Sequence, residues 1–143
     1  MAVDCTHFSG SGAQYWHAKD LDGRTLQAVM VAKSCLEIKD YCQRNGELVF
    51  WTLENPVGRI RRLLPEIGKV KLTFDPCDYG DAYTKRTQLY GVFNLPEKHP
   101  VEPVKVCSEG SWLMQLGGKS ERTKELRSIT PTGFARAFYE ANK

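Results

Sequence analysis

The strongest constraint on the fold is a long helical pattern followed at once by a short run typical of a buried strand. From Thr25 to Arg44 apolar residues recur at helical spacing, and Asn45-Gly46 supplies a stop signal. Because apolar residues occupy much of its circumference, we expect this helix to be well buried. The run Leu48–Leu53 is apolar and β-branched, and it predicts a buried strand. The segment Glu54–Pro56 is predicted to end that strand, since proline cannot donate to a sheet ladder.

Helical and strand patterns continue to alternate further along the chain. A short basic helix is predicted around Val57–Leu64, a second strand at Val70–Phe74 and a third at Gln88–Phe93. A last helix is predicted with Thr130 as its N-cap and Pro131 at its first position. This alternation predicts an α/β layer architecture.

Two segments lack a regular pattern. Residues 5–24 are rich in Gly, Ser and polar side chains and are predicted to form a long loop. Residues 95–126 are first proline-rich and then polar, and they are predicted to form an irregular insert. The chain of 143 residues has the size of one domain, so we expect residues 1–143 to fold as a single unit.

Composition narrows the possible partners and the cellular compartment. A net charge of +3 is mildly basic, which permits a polyanionic partner without requiring one. No stretch is apolar for long enough to span a membrane, and the N-terminus lacks the pattern of a secretory signal. We therefore expect a cytoplasmic protein. The five cysteines are odd in number and form no Cys-x-x-Cys pair, so neither a disulfide framework nor a metal site is predicted.

The first candidate for chemistry is Cys5, which lies at the head of a loop rich in Gly and Ser. A cysteine in such a loop can be exposed, as a nucleophile must be. Glycines such as Gly10 allow a backbone to approach a flat ligand closely. The alternative interpretation is an inert, buried cysteine beside a flexible loop.

Two further segments carry polar groups suited to a site. Glu54 follows an apolar strand, and ligands of open α/β sheets bind outside the carboxyl ends of strands; the alternative is a solvated Glu in a turn. In the segment Tyr79–Thr87, aromatics alternate with cations, a pattern that can stack on bases and bind phosphates. The alternative there is an exposed loop with ordinary surface charge. The basic run Arg59–Arg62 is more typical of a solvated helix face than of a phosphate site.

Taken in order, these segments resemble the second half of cytosine-C5 DNA methyltransferases. Cys5-Thr6-His7-Phe8-Ser9-Gly10 is similar to the Pro-Cys-Gln loop of that family, which ends in Phe-Ser and glycine. Glu54-Asn55-Pro56 is similar to the Glu-Asn-Val at the end of the family's next strand. Tyr79-Gly80 through Arg86 resembles the aromatic-Gly turn and Gln-x-Arg-x-Arg segment, and Arg127 through Arg136 resembles the last helix start. The chain also resembles small phage-encoded proteins of this type.

The resemblance implies a fold and a set of roles. The fold would be a partial Rossmann-like methyltransferase sheet, mixed and of about three to four strands, with flanking helices, and residues 95–126 would replace the target-recognition region. Cys5 would be the nucleophile that adds to cytosine C6, and Glu54 would hydrogen-bond the base at N3. The residues implied to contact nucleic acid are Ser9, Gly10, Asn55, Tyr83, Lys85 and Arg86.

The resemblance also implies a cofactor and a partner. The methyl donor of the family is S-adenosylmethionine, and the half that binds it would lie before Cys5. We therefore expect a partner chain or self-association to cover the exposed sheet edge, with DNA as the substrate and the host cytoplasm as the compartment for a phage-encoded chain. The alternative is a non-catalytic phage module that binds nucleic acid or protein, for example one that interferes with a host defence system.

Overall fold

A computed structural model describes Met1, residues 3–104, Leu113, Leu116 and residues 120–143. The described part is α/β, with a small three-stranded antiparallel sheet in the order β1-β3-β2. The strands are β1 (Trp51–Pro56), β2 (Val70–Phe74) and β3 (Thr87–Val92). The helices are α1 (Trp16–Leu21), α2 (Arg24–Arg44), α3 (Ile60–Leu63), α4 (Glu121–Ser128) and α5 (Thr132–Asn142).

The chain divides into two compact units within the span that the sequence predicted to be one domain. Unit 1 comprises Met1–Thr73 and Thr87–Phe93, and it contains α1, α2, α3 and most of the sheet. Unit 2 comprises Phe74–Arg86 and Asn94–Lys143, and it contains α4 and α5. Of the predicted irregular insert, residues 105–112, 114–115 and 117–119 lie outside the described residues, whereas residues 95–104 form neither helix nor strand.

The sheet confirms the number of strands and corrects both its expected type and the position of β1. The prediction of a mixed sheet is wrong, because β1 pairs antiparallel with β3 and the whole sheet is antiparallel. Residues 75–86, which join β2 to β3, contain only the 3₁₀ turn Pro76–Tyr79, whereas parallel neighbours need a longer crossover, usually a helix.

The predicted end of the first strand is also wrong, because Glu54, Asn55 and Pro56 lie inside β1. In its register with β3, Glu54 lies opposite Leu89 and Pro56 lies opposite Thr87. Proline is tolerated there because β1 is an edge strand of the sheet. On the other side of β1, the backbone N–H of Glu54 donates to the Met1 carbonyl at 3.0 Å.

The position predicted for α2 is confirmed, but its predicted burial is wrong. Only Thr25, Ala32 and Leu36 of this helix are buried, and these three positions face the core of unit 1. The opposite side keeps large apolar side chains exposed, because the described elements cover α2 on one side only.

Three local predictions also need correction. Residues 5–24 are not one loop, because they form 3₁₀ turns at Cys5–His7 and Gly10–Tyr15 and then α1. Their Gly and Ser content indicated a loop although the segment forms local helical hydrogen bonds. Thr130 does not cap α5, since Pro131 is the N-cap residue there and makes no side-chain cap. The last residues of the predicted irregular insert, from Glu121 on, belong to α4, whose polar sequence gave no periodic signal.

Each unit has its own apolar core. In unit 1, residues 5–12 form a segment that we call the Cys5 loop. Side chains of the Cys5 loop, α2, β1 and α3 pack together, and the fully buried members are Phe8, Ala32, Leu53 and Ile60. In unit 2, Phe74 stacks on Phe134 of α5 with ring centroids 4.0 Å apart, and Tyr79 meets Phe134 edge-on at 5.3 Å. None of the helices in the described residues combines the length and apolar character that a membrane span needs.

Candidate active site

Cys5 begins a short 3₁₀ turn, Cys5–His7, whose backbone is closed by local hydrogen bonds. The side chain of Asp4 caps this turn by accepting from the Thr6 N–H at 2.9 Å. The Cys5 carbonyl accepts from the N–H groups of Phe8 at 3.0 Å and Ser9 at 2.8 Å. Cys5 itself is half-buried and forms no disulfide with another described residue. The sequence suggested a mobile loop, whereas the structure holds this cysteine in an ordered turn.

The turn is attached to the segment that follows Glu54-Asn55-Pro56. Ser9 and Gly58 form an antiparallel bridge, with Gly10 N–H donating to the Val57 carbonyl at 2.9 Å and Arg59 N–H donating to the Phe8 carbonyl at 2.8 Å. A Cβ atom on Gly58 would lie 1.9 Å from the Phe8 oxygen, so only glycine allows this approach. Segments fifty residues apart in sequence are therefore brought together by backbone hydrogen bonds.

The buried side chain of Arg59 holds the Cys5 loop in place through hydrogen bonds. Its guanidinium donates four hydrogen bonds: one to the His7 carbonyl at 3.0 Å, two to the Asp20 carboxylate at 2.7 and 2.8 Å, and one to Thr25 Oγ1 at 2.9 Å. The guanidinium also lies over the Trp16 ring, 4.6 Å from its centroid. Arg59 thus joins the Cys5 loop, α1 and the start of α2, and its side chain is only 3% exposed.

Arg59 is the important residue that the sequence interpretation missed. In the run Arg59–Arg62 all positions were expected to lie on a solvated helix face, yet Arg59 and Ile60 are buried while Arg61 and Arg62 are exposed. Nothing in the sequence separates Arg59 from its two basic neighbours, because the carboxylate that pairs with it is Asp20, far away along the chain.

The surroundings of the Cys5–His7 turn are electropositive. Burial, followed by the charge of Lys19, lowers the pKa of His7; the charge of Asp4 opposes this effect, and Arg24 and Arg59 add smaller lowering contributions. The Lys19 ammonium also donates to the Thr6 carbonyl, directly after Cys5. Positive charge of this kind favours an anion at the turn, which is the condition that makes a cysteine thiolate reactive.

Glu54 and Asn55 occupy adjacent positions of β1 and differ in accessibility. Glu54 is half-buried, whereas Asn55 is fully buried, with its Nδ2 donating to the Pro56 carbonyl at 2.7 Å. Burial leaves the Asn55 side chain without access for a contact with nucleic acid. Among the described residues the Asn55 Oδ1 has no hydrogen-bond partner. Asn55 thus belongs to the interior beneath the candidate site.

The other residues predicted to bind nucleic acid lie in unit 2. The Tyr83 carbonyl accepts from the Cys77 N–H at 3.1 Å, and burial raises the pKa of its phenol. The Lys85 ammonium donates to the Arg127 carbonyl at 2.7 Å and so stabilises the end of α4. The Arg86 guanidinium is 70% exposed, with Asp75 at 3.6 Å. Of the two cations, Arg86 is the more exposed to solvent.

The described residues do not fit the methyl donor. The family implied by the sequence holds its donor at a glycine-rich turn between a strand and a helix. In this structure the glycine turn between β1 and α3 is at Gly58, and the space above it is filled by the Phe8 carbonyl. Gly10 likewise approaches the backbone of the chain itself, at Val57. These glycines serve internal close contacts rather than a nucleotide.

The Asp20–Arg59 pair should make the stability of the protein depend on pH. Hydrogen bonds from Arg59, followed by one from Thr25, lower the pKa of Asp20 from 3.8 to about 2. A carboxylate with a lowered pKa stabilises the folded state fully above its unfolded value, and this contribution is lost as the pH falls through the folded value. We therefore expect the free-energy gap between the wild type and Asp20→Asn, measured by urea denaturation, to be constant above pH 3.8 and to narrow toward pH 2. A gap that persists unchanged at pH 2 would contradict this linkage. Glu47→Gln, at an exposed position of the same unit, is the control.

Comparison with known proteins adds no constraint. Among the described residues, no group of three or more His, Cys, Asp or Glu side chains is placed to hold a metal ion. No protein-family model, characterised protein or solved structure matches this chain.

Proposed function

We propose that this chain is a cytosine-C5 DNA methyltransferase-like protein in which Cys5 is the nucleophile and Glu54 acts on the base. The observation that carries the proposal is the bridge between Ser9 and Gly58, which attaches the Cys5 loop to the segment directly after Glu54. Both Cys5 and Glu54 are half-buried in unit 1, and neither is sealed in the core. In this proposal the antiparallel sheet, with α2 before it, is part of a Rossmann-like methyltransferase fold.

The charge around Cys5 supports the same assignment. Lys19 is the cation with the largest effect on His7 in the Cys5–His7 turn, and Asp4 opposes it; a thiolate is both the better nucleophile and the form that cations stabilise. The Arg59 guanidinium already binds Asp20 and Thr25, so we assign it the role of positioning the Cys5 loop and not of binding DNA. The exposed Arg61 and Arg62 on α3 are free to attract the phosphates of DNA.

The chemistry assigned to the chain is a reversible addition. The base is extruded from the duplex, because C6 is inaccessible to such attack within the stack. The Cys5 sulfur forms a bond to C6, and the electron pair of the C5–C6 double bond moves to C5. Glu54 hydrogen-bonds the base at N3 and favours protonation there as charge develops in the ring. C5 then takes a proton from water, and loss of a proton from C5 with departure of the thiolate restores cytosine.

The donor of the methyl group is assigned to elements outside the described residues. Since the glycine turn at Gly58 is filled, S-adenosylmethionine has no evident place in the described part of unit 1. A second chain, or further sequence of the same protein, would supply it. DNA contacts in unit 2 are assigned to Arg86 and Tyr83, with Lys85 in a supporting role through Arg127.

Exchange of the cytosine H5 with solvent tests the nucleophile without any donor. Mixed-sequence DNA is incubated with the protein in deuterated water, digested to nucleosides and analysed by mass spectrometry. We expect deuterium in deoxycytidine with the wild type, at least tenfold less with Glu54→Gln, since a positioned acid typically contributes about 10²–10⁴-fold, and none above background with Cys5→Ser. Cys42→Ser, another half-buried cysteine of unit 1, is the matched control and keeps the wild-type rate.

The outcome that overturns the catalytic proposal is equal exchange in the wild type and Cys5→Ser. A non-catalytic module that binds nucleic acid is the second candidate, and the exposed Arg61, Arg62 and Arg86 favour it, because cations attract phosphates. Retained binding of the same DNA by a wild type that shows no exchange would support that second candidate.

A further inference from the structure

Helix α2 carries a second apolar face that points away from the core. Leu26, Met30, Ser34 and Ile38 are spaced four residues apart, and Tyr41 follows one turn on, so these side chains form one row. We call this row the α2 stripe. The buried residues Ala32 and Leu36 lie on the opposite side of the helix. Leu26, Met30, Ile38 and Tyr41 are each 60–64% exposed, and an ordinary surface helix would carry polar residues there.

We propose that the α2 stripe is the contact with a second copy of this chain, in an antiparallel pair related by a two-fold axis at Ser34. This inference does not rest on the proposed function. Ser34 is the smallest residue of the stripe and lies at its middle, so it lets two helix axes approach closely. About this axis Met30 of one copy meets Ile38 of the other, and Leu26 meets Tyr41, so every large apolar member of the stripe obtains an apolar partner.

In the same arrangement, the charges at the edge of the α2 stripe of one copy are complementary to those of the other copy. Lys33 and Glu37 lie on one edge, and both are exposed. The two-fold axis places Lys33 of one copy about 3 Å along the helix axis from Glu37 of the other, given a rise of about 1.5 Å per residue. Both copies contribute the pair, so two such contacts form. A parallel two-fold pair would place the Lys33 edges of the two copies on opposite sides of the interface, where Lys33 could not reach Glu37 of the other copy, so this charge pair favours the antiparallel arrangement.

Among the described residues of its own chain, Lys33 has a weak competing ion pair. Its ammonium lies 3.9 Å from Glu66, and both side chains are about half exposed. Exposed ion pairs of that length contribute little to stability, so Lys33 remains available to a second copy. One pair of helices covers less than the roughly 800 Å² per partner of a standard interface. We therefore expect a reversible dimer that dissociates on dilution.

Reversing the charges of Lys33 and Glu37 tests whether a second copy of the chain binds the α2 stripe. By sedimentation equilibrium, we expect Lys33→Glu and Glu37→Lys each to raise the dimer dissociation constant at least fivefold. The double reversal should restore it, because it rebuilds the same pair between identical copies. A foreign protein as occupant would not be restored by reversing both charges. Failure of the double reversal to restore association overturns the proposal.

Replacement of an apolar member gives the second measurement. Met30→Glu should raise the dissociation constant at least tenfold, whereas Val49→Glu, at a position 93% exposed and outside α2, should leave it unchanged. Circular dichroism checks that α2 persists in both variants. A chain that is monomeric at every concentration, or a dimer that Met30→Glu leaves intact, overturns the proposal.

A cysteine at the axis gives a geometric test. With helix axes about 8–10 Å apart and Cα atoms about 2.3 Å from each axis, the two Ser34 Cα atoms lie about 4–5 Å apart. This overlaps the roughly 4.4–6.8 Å of disulfides. Under mild oxidation Ser34→Cys should form a covalent dimer, while the wild type and Asp40→Cys, off the α2 stripe, should not. Absence of the covalent dimer from Ser34→Cys under conditions where the wild type sediments as a dimer overturns the assigned axis.

Discussion

Replacing Gly58 with alanine is expected to detach the Cys5 loop and to lower the free energy of unfolding by about 3 kcal/mol. The added Cβ would lie 1.9 Å from the Phe8 oxygen and 2.9 Å from the Gly10 nitrogen. Both are backbone atoms, so no side-chain rotation relieves the overlap. The bridge with Ser9 must open, and the two backbone hydrogen bonds beside it are lost. Urea denaturation measures the change in stability.

The same variant should change the reactivity of Cys5. Once the bridge opens, the Cys5–His7 turn is released and the half-buried Cys5 becomes more accessible. Alkylation of Cys5, followed by mass spectrometry of its peptide, should therefore be faster even though Arg59 lies farther away. Gly12→Ala is the matched control from the same loop, because its Cβ would meet only the Thr6 carbonyl at 3.5 Å, an ordinary contact. We expect that control to change stability by no more than about 0.5 kcal/mol. Equal effects of the two substitutions would show that the bridge does not hold the loop.

The sequence was a good guide to the elements that periodicity marks. The helix from Thr25 to Arg44 and the strand Val70–Phe74 were predicted within a residue of their observed bounds, because each is a run with one clear period. The 3₁₀ turns near Cys5 were missed, since their hydrogen bonds span three residues and leave no apolar repeat. The polar helix α4 was missed for the same reason, as its N-cap Ser120 was the only local signal.

The candidate site was predictable as a set of residues but not as an arrangement. A one-dimensional pattern shows Glu54 at the end of an apolar run; it does not show that Pro56 still belongs to the strand, because that depends on β1 lying at the edge of the sheet. The burial of Asn55 was invisible for a related reason, since alternation along β1 decides which side chains face the core. The contact that joins the two segments runs through Gly58, a residue for which no sequence pattern indicated a role.

Replacing Arg59 with alanine is expected to lower the free energy of unfolding by about 2 kcal/mol, because the hydrogen bonds of a buried guanidinium are lost. The substitution removes four hydrogen bonds and the contact with the Trp16 ring. It leaves the His7 carbonyl and Thr25 without their donor in a buried setting, which is why the cost exceeds that of a surface pair. Arg59→Lys should recover only part of the loss, because an ammonium cannot bind both Asp20 oxygens in the fork geometry.

Arg61→Ala is the matched control for Arg59, since Arg61 lies on the same short segment and is exposed. Its unfolding free energy should stay within about 0.5 kcal/mol of the wild type. The two variants should also differ in pH dependence. Without Arg59 the pKa of Asp20 loses the largest of the causes that lower it, so acid destabilisation between pH 3.8 and 2 should weaken in Arg59→Ala and persist in Arg61→Ala. If both variants kept the wild-type dependence of unfolding free energy on pH, Arg59 would not be the residue that joins the Cys5 loop to α1 and α2. The Gly58 bridge alone would then hold the loop that carries Cys5.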